Sequence, residues 1–196
     1  HTGEIGATWV HEAGGSSTRI SNANRVRKSN TAGYSIDNTT ATPLSPDYSV
    51  VADLYVASSL SGDMAGVIGR LNTSNTTFYM ARYEVANTRW NLVSYNAGTV
   101  TSLGVATQTL TVGSTYQVRL DMVGTALKLS VDGVLKVSVS DSTWALAGQA
   151  GIMHGPDSSA PAGTAPPGPH FAHFPVSPGP AARRHDCDRR LGRAAH

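Results

Sequence analysis

The chain has 196 residues, of which 40% are hydrophobic and only 14% are charged. That length allows one domain with a substantial core, and the abundance of Thr, Ser, Asn and Gly favours a β-protein with many turns. Ten Lys or Arg residues up to position 176 face eleven Asp or Glu, whereas the remaining tail holds five Arg and two Asp. The nearly neutral body lacks the basic surface of a nucleic-acid-binding protein, and no apolar run has the length of a membrane span.

Strand candidates separated by turn residues occupy the first half of the chain. Short strands are predicted at 7–11, 25–28 and 33–36, and the segment 38–46, with two prolines and three threonines, is predicted to be a loop. A strand is predicted at 48–57, because apolar residues recur there at every second position. Tyr48, Val50, Ala52, Leu54 and Val56 would share one face.

Further strands are predicted at 64–71, 77–85, 89–95, 99–109 and 149–154. Their spacing, with turn signals between them, indicates a sandwich or a barrel. Trp144 lies in the segment 142–148, directly before the predicted strand at 149–154.

The clearest pattern is a meander of three runs at 116–123, 126–131 and 134–139. They are joined by Gly124-Thr125 and Asp132-Gly133. An Asp-Gly pair between alternating apolar runs is a strong hairpin signal, because a type I′ turn needs positive φ at both central positions. One face of this meander is predicted to be buried.

The composition changes after position 154. Residues 155–169 contain five prolines, which disfavours a packed strand over most of that length. We therefore predict a β-sandwich at 1–154, a Pro/Gly-rich loop with a closing strand near 171–176, and an Arg-rich tail at 177–196. The tail residues predicted to mediate assembly with other subunits are Arg183, Arg184, Arg189 and Arg190.

Taken in order, the phrases YSVVADLYV, GDMAGVIGRL, TTFYMARYE, RWNLVSY and GQAGIM, together with the meander, resemble the laminin-G-like, concanavalin-A-like jelly roll. The resemblance covers roughly residues 1–155 and implies an all-β fold of two packed antiparallel sheets. It does not define one activity, because this fold serves lectins, adhesion modules, hydrolases and virion surface proteins.

Catalytic and metal-binding patterns are weak. The three glutamates, Glu4, Glu12 and Glu84, have no carboxylate at i+2 or i+4, whereas glycoside hydrolysis usually needs two carboxylates. Asp53 and Asp121 could meet across a sheet. No cofactor is expected, although calcium is an alternative that loop carboxylates at Asp37-Asn38, Asp63 and Asp157 could bind.

A glycan-binding surface needs no titrating pair, only an aromatic ring for the sugar face and side chains that bond its hydroxyls. The segment 70–95 is rich in such residues. Alternation puts Tyr79, Ala81 and Tyr83 on one face and Phe78, Met80 and Arg82 on the other, so one set is core. The residues predicted to contact a glycan are Arg70, Tyr79, Arg82, Tyr83, Trp90, Asn91 and Tyr95.

These observations favour a non-catalytic binding or assembly module, on a virion surface or outside the cell. Its predicted partners are other virion or surface protein subunits, a cell-surface glycan and further copies of the same chain in a homo-oligomer. The alternatives are a secreted bacterial carbohydrate-binding module and a glycan-cleaving hydrolase or lyase.

Overall fold

The computed structural model describes residues 9–13, 18–20, 26–28, 34–56, 64–155, 169–171 and 176–178. Within these ranges the secondary structure is fifteen strands and one 3-10 turn, Val85–Asn87. None of the described helical structure is long and apolar enough to cross a membrane. The strands are β1 (Trp9–Ala13), β2 (Thr18–Ile20), β3 (Val26–Lys28), β4 (Ser35–Thr39), β5 (Tyr48–Val56), β6 (Met64–Leu71), β7 (Thr77–Glu84), β8 (Arg89–Asn96), β9 (Thr99–Thr107), β10 (Thr115–Val123), β11 (Ala126–Val131), β12 (Val134–Ser140), β13 (Gln149–His154), β14 (Pro169–Phe171) and β15 (Val176–Pro178).

The strands form two antiparallel sheets that pack as a sandwich, as the sequence predicts. The seven-stranded sheet has the order β1-β4-β13-β6-β7-β8-β9. The eight-stranded sheet has the order β12-β11-β10-β5-β14-β3-β2, and β15 also pairs with β5. The predicted meander therefore forms one end of the eight-stranded sheet, and its Asp132-Gly133 turn has the expected positive φ at both residues.

The main core lies between the two sheets. The eight-stranded sheet contributes alternate residues such as Val50, Leu54, Leu120 and Leu129, all of them fully buried. Burial of such side chains stabilises the fold by about 25 cal/mol per Å² of apolar surface removed from water. The alternation predicted for β5 and β10 is confirmed.

The seven-stranded sheet is unusual because its outer face is also buried. Ile68, Phe78, Met80 and Val93 point away from the main core, yet none is more than 1% exposed. As a result, β6 and β7 are buried at nearly every position. Their sequences alone do not tell which face meets the other sheet.

Besides shifts of one or two residues at strand ends, the strands differ from the predicted ones at three places. β4 continues through Asp37-Asn38, which the sequence places at a turn, because these residues pair with β1 and β13. β2 is absent from the predictions. The closing strand is two short strands, β14 and β15, which both pair with β5 and lie on either side of the predicted segment.

The edge strands β9 and β12 belong to different sheets and pack against each other at Gly104. A Cβ atom at position 104 would lie 2.6 Å from Val137 Cγ1 and 3.3 Å from Val139 Cγ1. Valine is stiff about χ1, so these methyl groups cannot simply rotate away.

We expect Gly104→Ala to destabilise the protein by about 1 to 3 kcal/mol, the usual cost of overpacking a tight contact. Urea denaturation would measure the loss. Val105→Ala is a suitable control, because Val105 is on the same strand and 50% exposed. Equal stability of the two variants would contradict the assigned packing.

Candidate functional site

A block of polar side chains lies on the outer face of the seven-stranded sheet, in the hairpin of β7 and β8. Two cross-strand pairs build it, Arg82 with Asn91 and Glu84 with Arg89. The residues within each strand are two apart, so all four side chains share one face. The short turn Val85–Asn87 fixes this register.

Glu84 lies at the centre of the block and accepts hydrogen bonds from four residues. Its Oε1 atom accepts from Arg82 Nε at 2.9 Å, Arg82 Nη2 at 2.5 Å and Asn91 Nδ2 at 2.9 Å. Its Oε2 atom accepts from Arg89 Nε at 2.7 Å and Asn87 Nδ2 at 3.0 Å. Both carboxylate oxygens are therefore used in holding neighbouring donors.

The network extends to β9 through Asn91, whose Oδ1 atom accepts from Ser102 Oγ at 2.8 Å. We call the six residues the outer-face polar cluster: Arg82, Glu84, Asn87, Arg89, Asn91 and Ser102.

The environment of Glu84 keeps this carboxyl ionised. Burial raises the pKa of Glu84, but hydrogen bonds from Asn91 and Arg89 and the charge of Arg82 outweigh burial and lower the pKa from 4.5 to about 2. The folded protein then keeps Glu84 ionised over a pH range in which the unfolded chain protonates it. The cluster stabilises the fold fully above the ordinary pKa of 4.5, and this contribution falls as the pH falls towards 2.

We expect Glu84→Gln to destabilise the protein at neutral pH, with a difference from wild type that shrinks as the pH is lowered from about 5 to about 2.5. Thermal unfolding across this range would measure it. Asp53→Asn is the control, because Asp53 lies outside the cluster on the other sheet. A difference that stays constant with pH would contradict the assigned role of Glu84.

The outer-face polar cluster opens to solvent towards β9. Arg82 and Asn91 are buried, whereas 35% of the Arg89 side chain is exposed and Asn87 and Ser102 are exposed. Val105, the cross-strand neighbour of Asn91, adds an exposed apolar surface. Hydrogen-bond donors of the outer-face polar cluster thus lie beside a small exposed apolar surface at Val105.

Tyr95 lies farther along the same face. Its ring stacks on Phe78, with centroids 4.5 Å apart and planes inclined by 11°. Burial, followed by the nearby Tyr34 hydroxyl, raises the pKa of Tyr95. Among the residues predicted to contact a glycan, the structure therefore brings Arg82 and Asn91 into one cluster and puts Tyr95 on the same face.

Three of the predicted contact residues lie in the core, so their assignment to a binding groove is corrected. Tyr79 and Trp90 are fully buried and Tyr83 is 5% exposed, all between the two sheets. Tyr83 donates to Gln108 O at 2.9 Å, and Trp90 Nε1 donates to Gln108 Oε1 at 3.0 Å. Their polar atoms serve the fold and their rings are inaccessible to a sugar.

Arg70 is also removed from the predicted glycan contacts, because its side chain is only 1% exposed. Its guanidinium donates to three backbone carbonyls, from Nε to Pro46 at 3.0 Å, from Nη1 to Trp144 at 2.9 Å and from Nη2 to Gly124 at 2.9 Å. Arg70 also has a φ of 52°, which is rare for a residue with a side chain. Arg70 thus connects three loops at one end of the sandwich.

We expect Arg70→Lys to destabilise the protein by roughly 2 to 4 kcal/mol, because one ammonium group cannot replace a planar fork bonded to three carbonyls. Urea denaturation would measure this loss. Arg119→Lys is the matched control, since Arg119 is half-exposed and pairs with Asp121 at the surface, where ion pairs contribute little. Similar losses in both variants would contradict the structural role.

The remaining predicted residues are not brought into a site. Asp53 pairs with Gln117 and Asp121 with Ser49, so the two carboxylates are separated along the sheet. No group of three metal-ligating side chains occurs in the described part of the chain. Asp63, Asp157 and the predicted assembly residues lie outside the described residues; the latter are Arg183, Arg184, Arg189 and Arg190.

The sequence analysis missed four members of the outer-face polar cluster: Glu84, Asn87, Arg89 and Ser102. A signal was present, because Arg-x-Glu at 82–84 and Arg-x-Asn at 89–91 flank a short turn. In a hairpin of this register the four side chains must meet on one face. The prediction treated Glu84 only as a possible catalytic carboxylate and not as an ion-pair partner of the two arginines.

Comparisons with known proteins support the fold. No family model matches the chain, and no curated protein matches it by sequence. Among solved structures, the carbohydrate-binding module CBM66 from Bacillus subtilis is similar with a TM-score of 0.72 and 14% identity, over 90% of this chain and 99% of that one. A Bacillus licheniformis beta-glucanase has a TM-score of 0.63 and 12% identity, over 88% and 92% of the two chains.

A Bacillus subtilis protein of unknown function with a galectin-like fold has a TM-score of 0.62 and 14% identity, over 87% of this chain and 89% of its own. At such identities the likeness shows the fold alone. The chain is therefore an all-β jelly-roll sandwich of the kind seen in carbohydrate-binding modules and glucanases.

Proposed function

We propose that this protein is a non-catalytic glycan-binding module whose outer-face polar cluster contacts the ligand. The carrying observation is that two arginines and two asparagines are held rigidly around Glu84 on an outer sheet face. Donors fixed before binding lose little freedom on association, which favours affinity. The likeness to a carbohydrate-binding module and to a galectin-like fold supports a sugar as the ligand.

The geometry supports binding more than cleavage. A general acid or base needs a pKa near the working pH, whereas the pKa of Glu84 is about 2 and four residues bond its oxygens. Glu84 is thus suited to orient Arg89 and the exposed Asn87, and these would donate to ring hydroxyls or to a sugar carboxylate. The net charge of +1 on Arg82, Glu84 and Arg89 favours the acidic ligand.

The role on a virion surface, in assembly with other subunits, stays a prediction. It depends mainly on the Arg-rich tail 177–196, and its test is the particle mass of the full chain against a chain ending at 176. An extracellular location is consistent with a glycan ligand.

We expect Arg89→Ala to weaken glycan binding by about 10-fold or more, because a hydrogen bond to a charged group contributes roughly 1.5 to 3 kcal/mol. A glycan array with neutral and acidic sugars would find the ligand, and calorimetry would compare the variants. Arg119→Ala is the matched control on the outer face of the other sheet.

Arg89→Lys separates charge from geometry, since it keeps the charge but loses the planar fork. Unchanged affinity in Arg89→Ala, with a folded protein by circular dichroism, would contradict the proposed site. Failure of the wild-type chain to bind any glycan would contradict the proposed function.

A further inference from the structure

A cavity of about 570 Å³ lies at the end of the sandwich opposite the outer-face polar cluster. Three chain segments line this loop-end cavity: the loop before β5 at Thr42, the β6–β7 connection at Asn72 and Thr73, and the loop before β13 at 143–148. The volume falls within the range of roughly 300 to 1,000 Å³ that is usual for small-molecule sites.

The wall of the loop-end cavity is rich in hydroxyl groups and carries no available charge. Thr42, Thr73, Thr77 and Thr143 line it, and the charged lining residue, Arg70, already donates to three carbonyls. An ionic ligand would find no opposite charge among these side chains. An uncharged ligand with many hydroxyl groups matches their chemistry.

Trp144 gives this wall an aromatic surface in a fixed position. Its backbone N–H donates to the Tyr79 hydroxyl at 2.9 Å, and its carbonyl accepts from Arg70 Nη1 at 2.9 Å. Both partners are buried in the fold and fix the Trp144 backbone, while the half-buried indole packs against the main core. Its Nε1 atom is buried and has no hydrogen-bond partner in the described part of the chain.

An exposed apolar residue completes the wall. Leu146 is 83% exposed and lines the cavity beside Trp144. Sugars present apolar C–H faces as well as hydroxyl groups, and aromatic and aliphatic side chains beside hydroxyl groups suit both surfaces.

We propose that the loop-end cavity is a second ligand site, which takes a neutral saccharide. It is independent of the outer-face polar cluster. Thr77 and Glu84 mark the two ends of β7, about 23 Å apart at the rise of a strand. Two sites at this separation would let the module contact two positions on one polysaccharide, which raises apparent affinity for the polymer over a short oligosaccharide.

The test follows the indole N–H signal of Trp144 by NMR. The chain has three tryptophans, and Trp144→Phe assigns the signal by its disappearance. The probes are laminaritetraose, cellotetraose and an inulin-type fructo-oligosaccharide at millimolar concentration. We expect at least one probe to shift the Trp144 signal and to leave Trp90, which is fully buried, unchanged.

Ala147→Phe is the blocking variant, because Ala147 is exposed and lines the cavity. We expect it to weaken this binding by about 10-fold or more. Ser74→Phe is the matched control, on an exposed residue of the β6–β7 turn outside the lining, and should bind like wild type.

A Trp144 signal that none of the probes shifts would overturn the proposal, as would full binding by Ala147→Phe. Arg89→Ala separates the two sites. If it loses glycan binding at the outer face while the Trp144 response persists, the second site stands alone. If Ala147→Phe has no effect and Arg89→Ala abolishes the response, the outer-face site alone binds.

Discussion

The guanidinium of Arg70 is the contact on which one end of the sandwich depends. A buried cation is very costly unless its donors are bonded, and here they meet carbonyls from three separate loops. The backbone N–H of the same residue donates to the Tyr48 hydroxyl, which itself donates to Gly148 O at 2.9 Å. Arg70 thereby joins β5, β6 and the loop before β13. Because Arg70 also lines the loop-end cavity, these hydrogen bonds fix one part of the cavity wall.

The seven-stranded sheet follows a different constraint, because β6 and β7 at its middle are buried on both faces. Its inner face packs on the other sheet, and its outer face holds a second apolar cluster that includes Ile68, Phe78 and Met80. A charged side chain on such a face needs hydrogen-bond or ion-pair partners from neighbouring residues, because little water reaches it. Glu84 has such partners in Arg82 and Arg89, and this explains why a saturated ionic network, not a single exposed charge, occurs there.

The sequence predicts the orientation of a strand well where one face is exposed to solvent. It does not do so where both faces are buried. β10 and β11 alternate cleanly, so both the strands and their Asp132-Gly133 turn could be predicted. β7 is buried at every position after Thr77, and its alternation could not tell whether Tyr79 or Phe78 faces the other sheet. The position of Arg70 was also beyond prediction, because its three acceptors are backbone groups 24 to 74 residues away.

Different hydrogen-bond networks lie at the two ends of β7, where we propose the two ligand sites. At Glu84, an ionised carboxylate with a pKa of about 2 accepts hydrogen bonds from four neighbouring residues. At Trp144, the backbone is held by Tyr79 and Arg70, and the half-buried indole packs against the main core and lines the loop-end cavity. In both cases the buried polar groups are hydrogen-bonded within the fold, and the residues proposed to contact a ligand, Arg89 and Trp144, are partly exposed. Such an arrangement favours recognition of a preformed shape, because the ordering cost is met on folding and little remains at binding.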